Sequence, residues 1–144
     1  MQFKLSSRRI CAFVAGSALA LGGGAALSKD LKLSLTSSEE TPPVMSSATG
    51  TGMIRVAKDK SISGTIKTSG IDGTMAHVHV GAPGQAGPAI ITLDKTGEGV
   101  WSIPPGSKLT DEQYSSFKAG NLYVNVHSAD HKAGEIRAQL KPRA

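Results

Sequence analysis

The chain's four histidines all fall in its second half, and their spacing defines the chemistry open to it. His77 and His79 flank a valine in Met75-Ala76-His77-Val78-His79-Val80, where small or β-branched residues alternate with larger ones. That alternation predicts a strand, with Ala76, Val78 and Val80 on one face and Met75, His77 and His79 on the other. Two imidazoles two residues apart on a strand stand roughly 6.5–7 Å apart at the backbone. Their ring nitrogens can then converge on one ion, about 2.0–2.1 Å from each. Leu122-Tyr123-Val124-Asn125-Val126-His127 divides the same way, with Tyr123, Asn125 and His127 on the polar face. If the two strands are neighbours, His77, His79 and His127 form a three-histidine site, and His131, in the polar segment that follows, is a candidate fourth ligand. Neutral imidazoles in that number suit copper or zinc, and the intrinsic affinity order favours copper. Met75 would add a softer donor, suited to reduced copper. The plainer reading of each strand histidine is a half-buried polar residue bonded to backbone carbonyls, and that of His131 is solvent exposure.

Other chemistries find little support. The chain has no Ser-His-Asp set, no paired carboxylates and no zinc-protease motif, which leaves enzymatic activity undecided and favours binding. The loop Gly81-Ala82-Pro83-Gly84-Gln85-Ala86-Gly87-Pro88 lacks the Gly-Lys-Ser/Thr end of a phosphate loop. Its glycines instead suit positive φ and a tight path beside the histidines. Glu135 and Arg137 share a face of the last expected strand, either as a sheet-face ion pair or as residues that orient a histidine ring.

The elements that must hold these residues follow from composition. The chain has 144 residues, enough for one domain, with 17 Gly, 7 Pro and 39% hydrophobic residues, a mix that suits short strands and many turns. Residues 1–28 read as an export signal: Lys4, Arg8 and Arg9 precede an apolar run from Ile10 to Leu21 and then a Gly/Ala stretch. Cleavage after Ala26 or after Ser28 fits, and Ser7-Arg8-Arg9 hints at the twin-arginine route. The apolar run is shorter than the roughly 20 residues a membrane span needs, although an uncleaved anchor is the alternative. Without this segment the formal charge falls from +5 to +2, because it holds 3 of the 16 basic residues and no acidic one. With no basic run interleaved with aromatics, nucleic-acid binding is not expected. Cys11, the only cysteine, belongs to the same segment, so residues 29–144 form a domain without disulfides.

Eight strands are expected in that domain: Lys29–Leu35, Thr49–Ala57, Ser61–Thr68, Met75–Gly81, Ala89–Leu93, Glu98–Ile103, Asn121–Ser128 and Glu135–Lys141. Thr36–Ser47, with Pro42-Pro43, reads as a connector. Ala89–Leu93 is nearly all apolar and reads as a central strand. Thr110 caps the single expected helix, Gln113 completes a capping box, and Gly120 stops it. With no βαβ rhythm, the fold is expected to be all-β, a Greek-key β-sandwich or barrel.

These residues also carry a family resemblance. Thr41-Pro42-Pro43-Val44, Ser47-Ala48-Thr49-Gly50, Ala76-His77-Val78-His79 with Gly81-Ala82-Pro83-Gly84 and Gly87-Pro88, Leu109-Thr110, Ala119 to His127 and Gly134-Glu135-Ile136-Arg137 resemble the CHRD domain, named after chordin. The resemblance spans about Leu33 to Leu140. It implies an extracytoplasmic β-domain, found alone in many bacterial proteins and as repeats in chordin, an inhibitor of bone morphogenetic proteins. Asp130-His131-Lys132 departs from the pattern, so His131 inherits no role from it. The His77-Val78-His79 strand also resembles the copper-ligand strand of copper/zinc superoxide dismutases, without their zinc-loop histidines or cysteine pair.

Three functions stand open. One is a periplasmic or secreted domain holding copper, with zinc as the alternative, for metal handling or redox chemistry. Another is a non-catalytic module that meets an extracytoplasmic protein and whose histidines are structural. The third is a superoxide dismutase-like enzyme.

Overall fold

The computed structural model describes residues 29–143. The expected export signal, residues 1–28, lies outside the described residues. Nine antiparallel strands form the sheet: β1 (Lys29–Thr36), β2 (Thr49–Val56), β3 (Ile62–Ser69), β4 (Gly73–Val80), β5 (Ala89–Thr92), β6 (Asp94–Gly97), β7 (Val100–Ser102), β8 (Leu122–Ser128) and β9 (Ile136–Leu140). The helix α1 (Asp111–Lys118) precedes β8.

Strand order across the sheet is β5-β4-β8-β9-β1-β2-β3-β7-β6. The two ends of that order, β5 and β6, are consecutive in the chain with only Leu93 between them. Leu93 donates its N–H to the Ala76 carbonyl (2.9 Å) before the chain passes to β7, which nearly closes the sheet into a barrel. The all-β barrel expectation holds, with two corrections. β6 is a ninth strand: Asp-Lys-Thr-Gly is exposed along its whole length, so it forms by pairing with β7 and leaves no apolar alternation to read. β5 is not central. It pairs only with β4, and its isoleucines are half-buried against the core.

Period-two patterning builds the interior. Leu31, Leu33 and Leu35 of β1, Ile54 and Val56 of β2 and Ile62 and Ile66 of β3 meet Ala76, Val78, Val124, Val126, Ile136 and Leu140 in one cluster. The helix is capped as its residues predict. Thr110 Oγ1 accepts from the Gln113 N–H (3.1 Å), and the Gln113 side chain accepts from the Thr110 N–H (3.0 Å). Phe117 is buried beneath it.

β8 and β9 depart from simple alternation, because every residue in both is buried. Their inward residues fill the barrel. Their outward residues (Tyr123, Asn125, His127, Arg137 and Gln139) lie beneath a layer of loops, not in solvent. That covered outer face of β4, β8 and β9 holds the site.

Candidate metal centre

β4 and β8 pair antiparallel with Met75 opposite His127, His77 opposite Asn125 and His79 opposite Tyr123. The register brings the three strand histidines together: one ring nitrogen from each of His77, His79 and His127 lies within 4.8 Å of the other two. Ring centroids are 4.9 Å apart for His77 and His127, 5.5 Å for His77 and His79, and 6.1 Å for His79 and His127. His79 and His127 are buried and His77 is half-buried.

Backbone carbonyls fix two of the tautomers. His79 Nδ1 faces the Gly87 carbonyl oxygen at 2.9 Å, and His127 Nδ1 faces that of Lys132 at 2.8 Å. A carbonyl only accepts, so both Nδ1 atoms carry the proton and both Nε2 atoms keep a lone pair. His79 Nε2 is buried and has no hydrogen-bond partner. His127 Nε2 lies 3.1 Å from His77 Nδ1. Two nitrogens held about 2.0–2.1 Å from one ion at an angle near 100° stand about 3.1 Å apart, so the pair already has ligand spacing. Without an ion, His77 Nδ1–H donates to His127 Nε2. Ligation by Nδ1 would move that proton to His77 Nε2, which bonds to no described residue.

The surroundings of His77 and His79 favour their neutral forms. Burial pushes His77 below its ordinary value of 6.5, and the charges of His127 and His79 add to the effect. Burial also lowers His79, against the opposing hydrogen bond that its ring donates to the Gly87 carbonyl. A neutral imidazole is the form that ligates. Other buried atoms beside the cluster are acceptors lacking a donor. Asn125 Oδ1 is one, and Glu40 Oε1 is another. The Asn125 amide lies against both His79 and Glu40. A site whose unsatisfied atoms are all electron-pair donors fits a cation.

The loop of residues 81–88 is held down by a buried cation. Arg137 is 1% exposed. Its Nη1 donates to the Gln85 carbonyl (2.8 Å), and its Nη2 donates to the Ala82 carbonyl (3.0 Å) and Gln139 Oε1 (2.9 Å). Gln139 Nε2 in turn donates to the Gly81 carbonyl at 2.8 Å. The guanidinium lies 3.5 Å from the Tyr123 ring centroid, and His79 stacks on that ring at 4.7 Å and 4°. Since β8 runs between β4 and β9, Tyr123 is sandwiched between a candidate ligand and the buried arginine. Gly87 completes the loop. A Cβ there would be driven into the Val80 carbonyl oxygen, so only glycine lets the chain pass close enough to bond His79.

Two expectations about individual residues change. His131 does not join the histidine group. Its main chain serves instead: its N–H donates to Ser128 Oγ (3.1 Å), and its carbonyl accepts from Gly134 (3.0 Å), folding the turn that presents Lys132 O to His127. Glu135 and Arg137 are not an ion pair. Glu135 Oε1 accepts from Ser46 Oγ at 2.6 Å. Burial raises the Glu135 carboxyl, but the Ser128 and Ser46 hydroxyls and His131 outweigh it and hold the group below its ordinary range.

Glu40, the buried carboxylate nearest this layer's centre, is absent from the sequence reading. Burial raises its pKa, against the Asn125 hydrogen bond and the Arg137 charge. Its only sequence signal is its position before Thr41-Pro42-Pro43, in a stretch that otherwise reads as a connector. Gly134 is the surface it rests on, for a Cβ at Gly134 would strike both Glu40 Oε1 and Asn125 Nδ2.

An all-β, nearly closed barrel with a cluster of three histidines on the covered outer face of β4 and β8 is the class that fold and geometry define. The chain belongs to the CHRD domain family, whose model matches residues 31–140. No curated protein matches the chain, and no solved structure does. The likeness to copper/zinc superoxide dismutases therefore gains no support from them. Among the described residues, no helix is long and apolar enough to cross a membrane.

Proposed function

We propose that this protein is an exported copper-binding CHRD domain that holds one ion on His77, His79 and His127 for metal handling. One observation carries the reading. Backbone carbonyls anchor the Nδ1 atoms of His79 and His127, so both Nε2 atoms keep a lone pair; that of His127 lies 3.1 Å from His77 Nδ1, and one nitrogen of each ring lies within 4.8 Å of the other two. Three neutral imidazoles suit both copper and zinc, and the affinity order ranks copper higher. Export rests on residues 1–28, whose basic start, apolar run and small-residue end have the form of a signal, and places the protein in the periplasm or outside the cell.

Titration of the metal-free protein with Cu(II) tests the proposal. The expected result is saturation at one ion per chain, lost in His77→Ala and in His127→Ala while both variants keep the wild-type circular dichroism. Titration with Zn(II) in competition ranks the two metals, with copper expected to displace zinc. Saturation that is unchanged in both variants would overturn the site.

A further inference from the structure

Burial falls steadily along the polar face of β4. His79 is 8% exposed, His77 is half-buried, and Met75, the next residue on that face, is 48% exposed. The histidine cluster is therefore buried at its His79 end and exposed at its Met75 end. Met75 is not an isolated surface residue. It pairs with His127 across the ladder, where directly opposed side chains have Cβ atoms about 4.5–5.5 Å apart. It also precedes His77 by one strand repeat on the same face, roughly 6.5–7 Å along the backbone. A methionine side chain has three rotatable bonds, enough to span either gap with its sulfur.

The histidines differ in how firmly they are held. Carbonyls tie down His79 and His127, whereas among the described residues the His77 ring bonds only to His127 Nε2. The less constrained ring thus has a thioether, that of Met75, as its neighbour on the same face of β4. Soft thioether sulfur selects Cu(I), whereas imidazole serves either oxidation state.

We propose that Met75 is the ligand that adapts this site to reduced copper: its thioether joins His77 and His127 around Cu(I) at the exposed end, while Cu(II) rests on the three imidazoles. This inference rests on the copper reading of the histidine cluster. Both ions bind as supplied and no electron transfer is invoked. An ion held partly by an exposed sulfur is also the ion most accessible to a second copper-binding molecule.

The test compares wild-type protein with Met75→Leu, which keeps volume and apolarity, and with Met53→Leu, which alters an exposed methionine on β2 away from the site. Cu(I) supplied anaerobically is titrated against a chromophoric Cu(I) chelator, Cu(II) affinity is measured separately, and copper X-ray absorption is recorded in both states. Cu(I) bound to wild-type protein should show a sulfur neighbour that Met75→Leu lacks. That substitution should weaken Cu(I) about tenfold or more, with Cu(II) changed less than about threefold. Met53→Leu should match wild type in every measurement. Cu(I) without a sulfur neighbour, or equal loss of both ions in Met75→Leu, overturns the role of Met75 and leaves the three-histidine site intact. Failure of the wild-type protein to bind either ion overturns both.

Discussion

At the scale of single residues, the account depends on keeping imidazoles neutral and aimed. Burial and mutual repulsion depress the folded-state pKa of His77 and His79 below 6.5, so the unfolded chain takes up protons more readily there than the folded one. Their contribution to stability is fully present above pH 6.5 and is lost as pH falls below it toward the folded-state values. Denaturation midpoints of the metal-free protein should decline across that window, and bound metal should be released in the same range, since protons compete for the ligand nitrogens. A midpoint flat from pH 7 to pH 5 would contradict the assignment. Arg137 is the second critical residue. Its fork meets two carbonyls and an amide while stacking on Tyr123, a geometry lysine cannot copy. Arg137→Lys should destabilise the fold by about 3 kcal/mol or more in chemical denaturation. It should also weaken the metal about 10–100-fold, because the Gly87 carbonyl that aims His79 is no longer held. The sequence shows Arg137 beside Glu135 on one face. It does not show that the partners of Arg137 are carbonyls from a loop some fifty residues away.

At the scale of elements, the strands that carry the site were legible because both faces announce themselves. Ala76 and Val78, then Val124 and Val126, alternate with His77 and His79, then Asn125 and His127, and the structure keeps each set on its own face. β6 was not legible, because Asp94–Gly97 owes its form to pairing with β7 and has no buried side. The sequence points to a central place for β5, because Ala89–Thr92 is apolar enough for a central strand. Its isoleucines instead lean on the core from the outer edge of β4. The helix is legible from Thr110 to Gly120, since capping is local chemistry. It lies apart from the histidines, which makes it a useful control. Thr110→Ala should cost about 1 kcal/mol in denaturation with copper affinity unchanged. A parallel loss of metal would show the helix coupled to the site. Gly87→Ala should do the reverse, loosening the loop over His79 and weakening the metal while α1 stays capped.

At the scale of the molecule, the barrel supplies a stiff wall and the loops supply the cover. The chain between β1 and β2, the loop of residues 81–88 and the turn of residues 129–135 all close over the outer face of β4, β8 and β9. That covering layer was the least legible part of the structure. Glu40 reaches the site through contacts distant in sequence, with Asn125 and Arg137, and nothing local to Thr36–Ser47 signals that this connector is partly buried. An ion gripped by β4 and β8 together stabilises only the folded state. At a free-ion concentration one hundred times its dissociation constant, it should add about 2.7 kcal/mol. The measurement that reaches the centre of the account most directly is electron paramagnetic resonance of the protein loaded with one Cu(II), read for the nitrogens bound to the metal. The account predicts a single copper species with three imidazole nitrogens, absent from His77→Ala and from His127→Ala, which no longer hold the ion. Several species bound mainly through oxygen, or a spectrum untouched by either substitution, would contradict it.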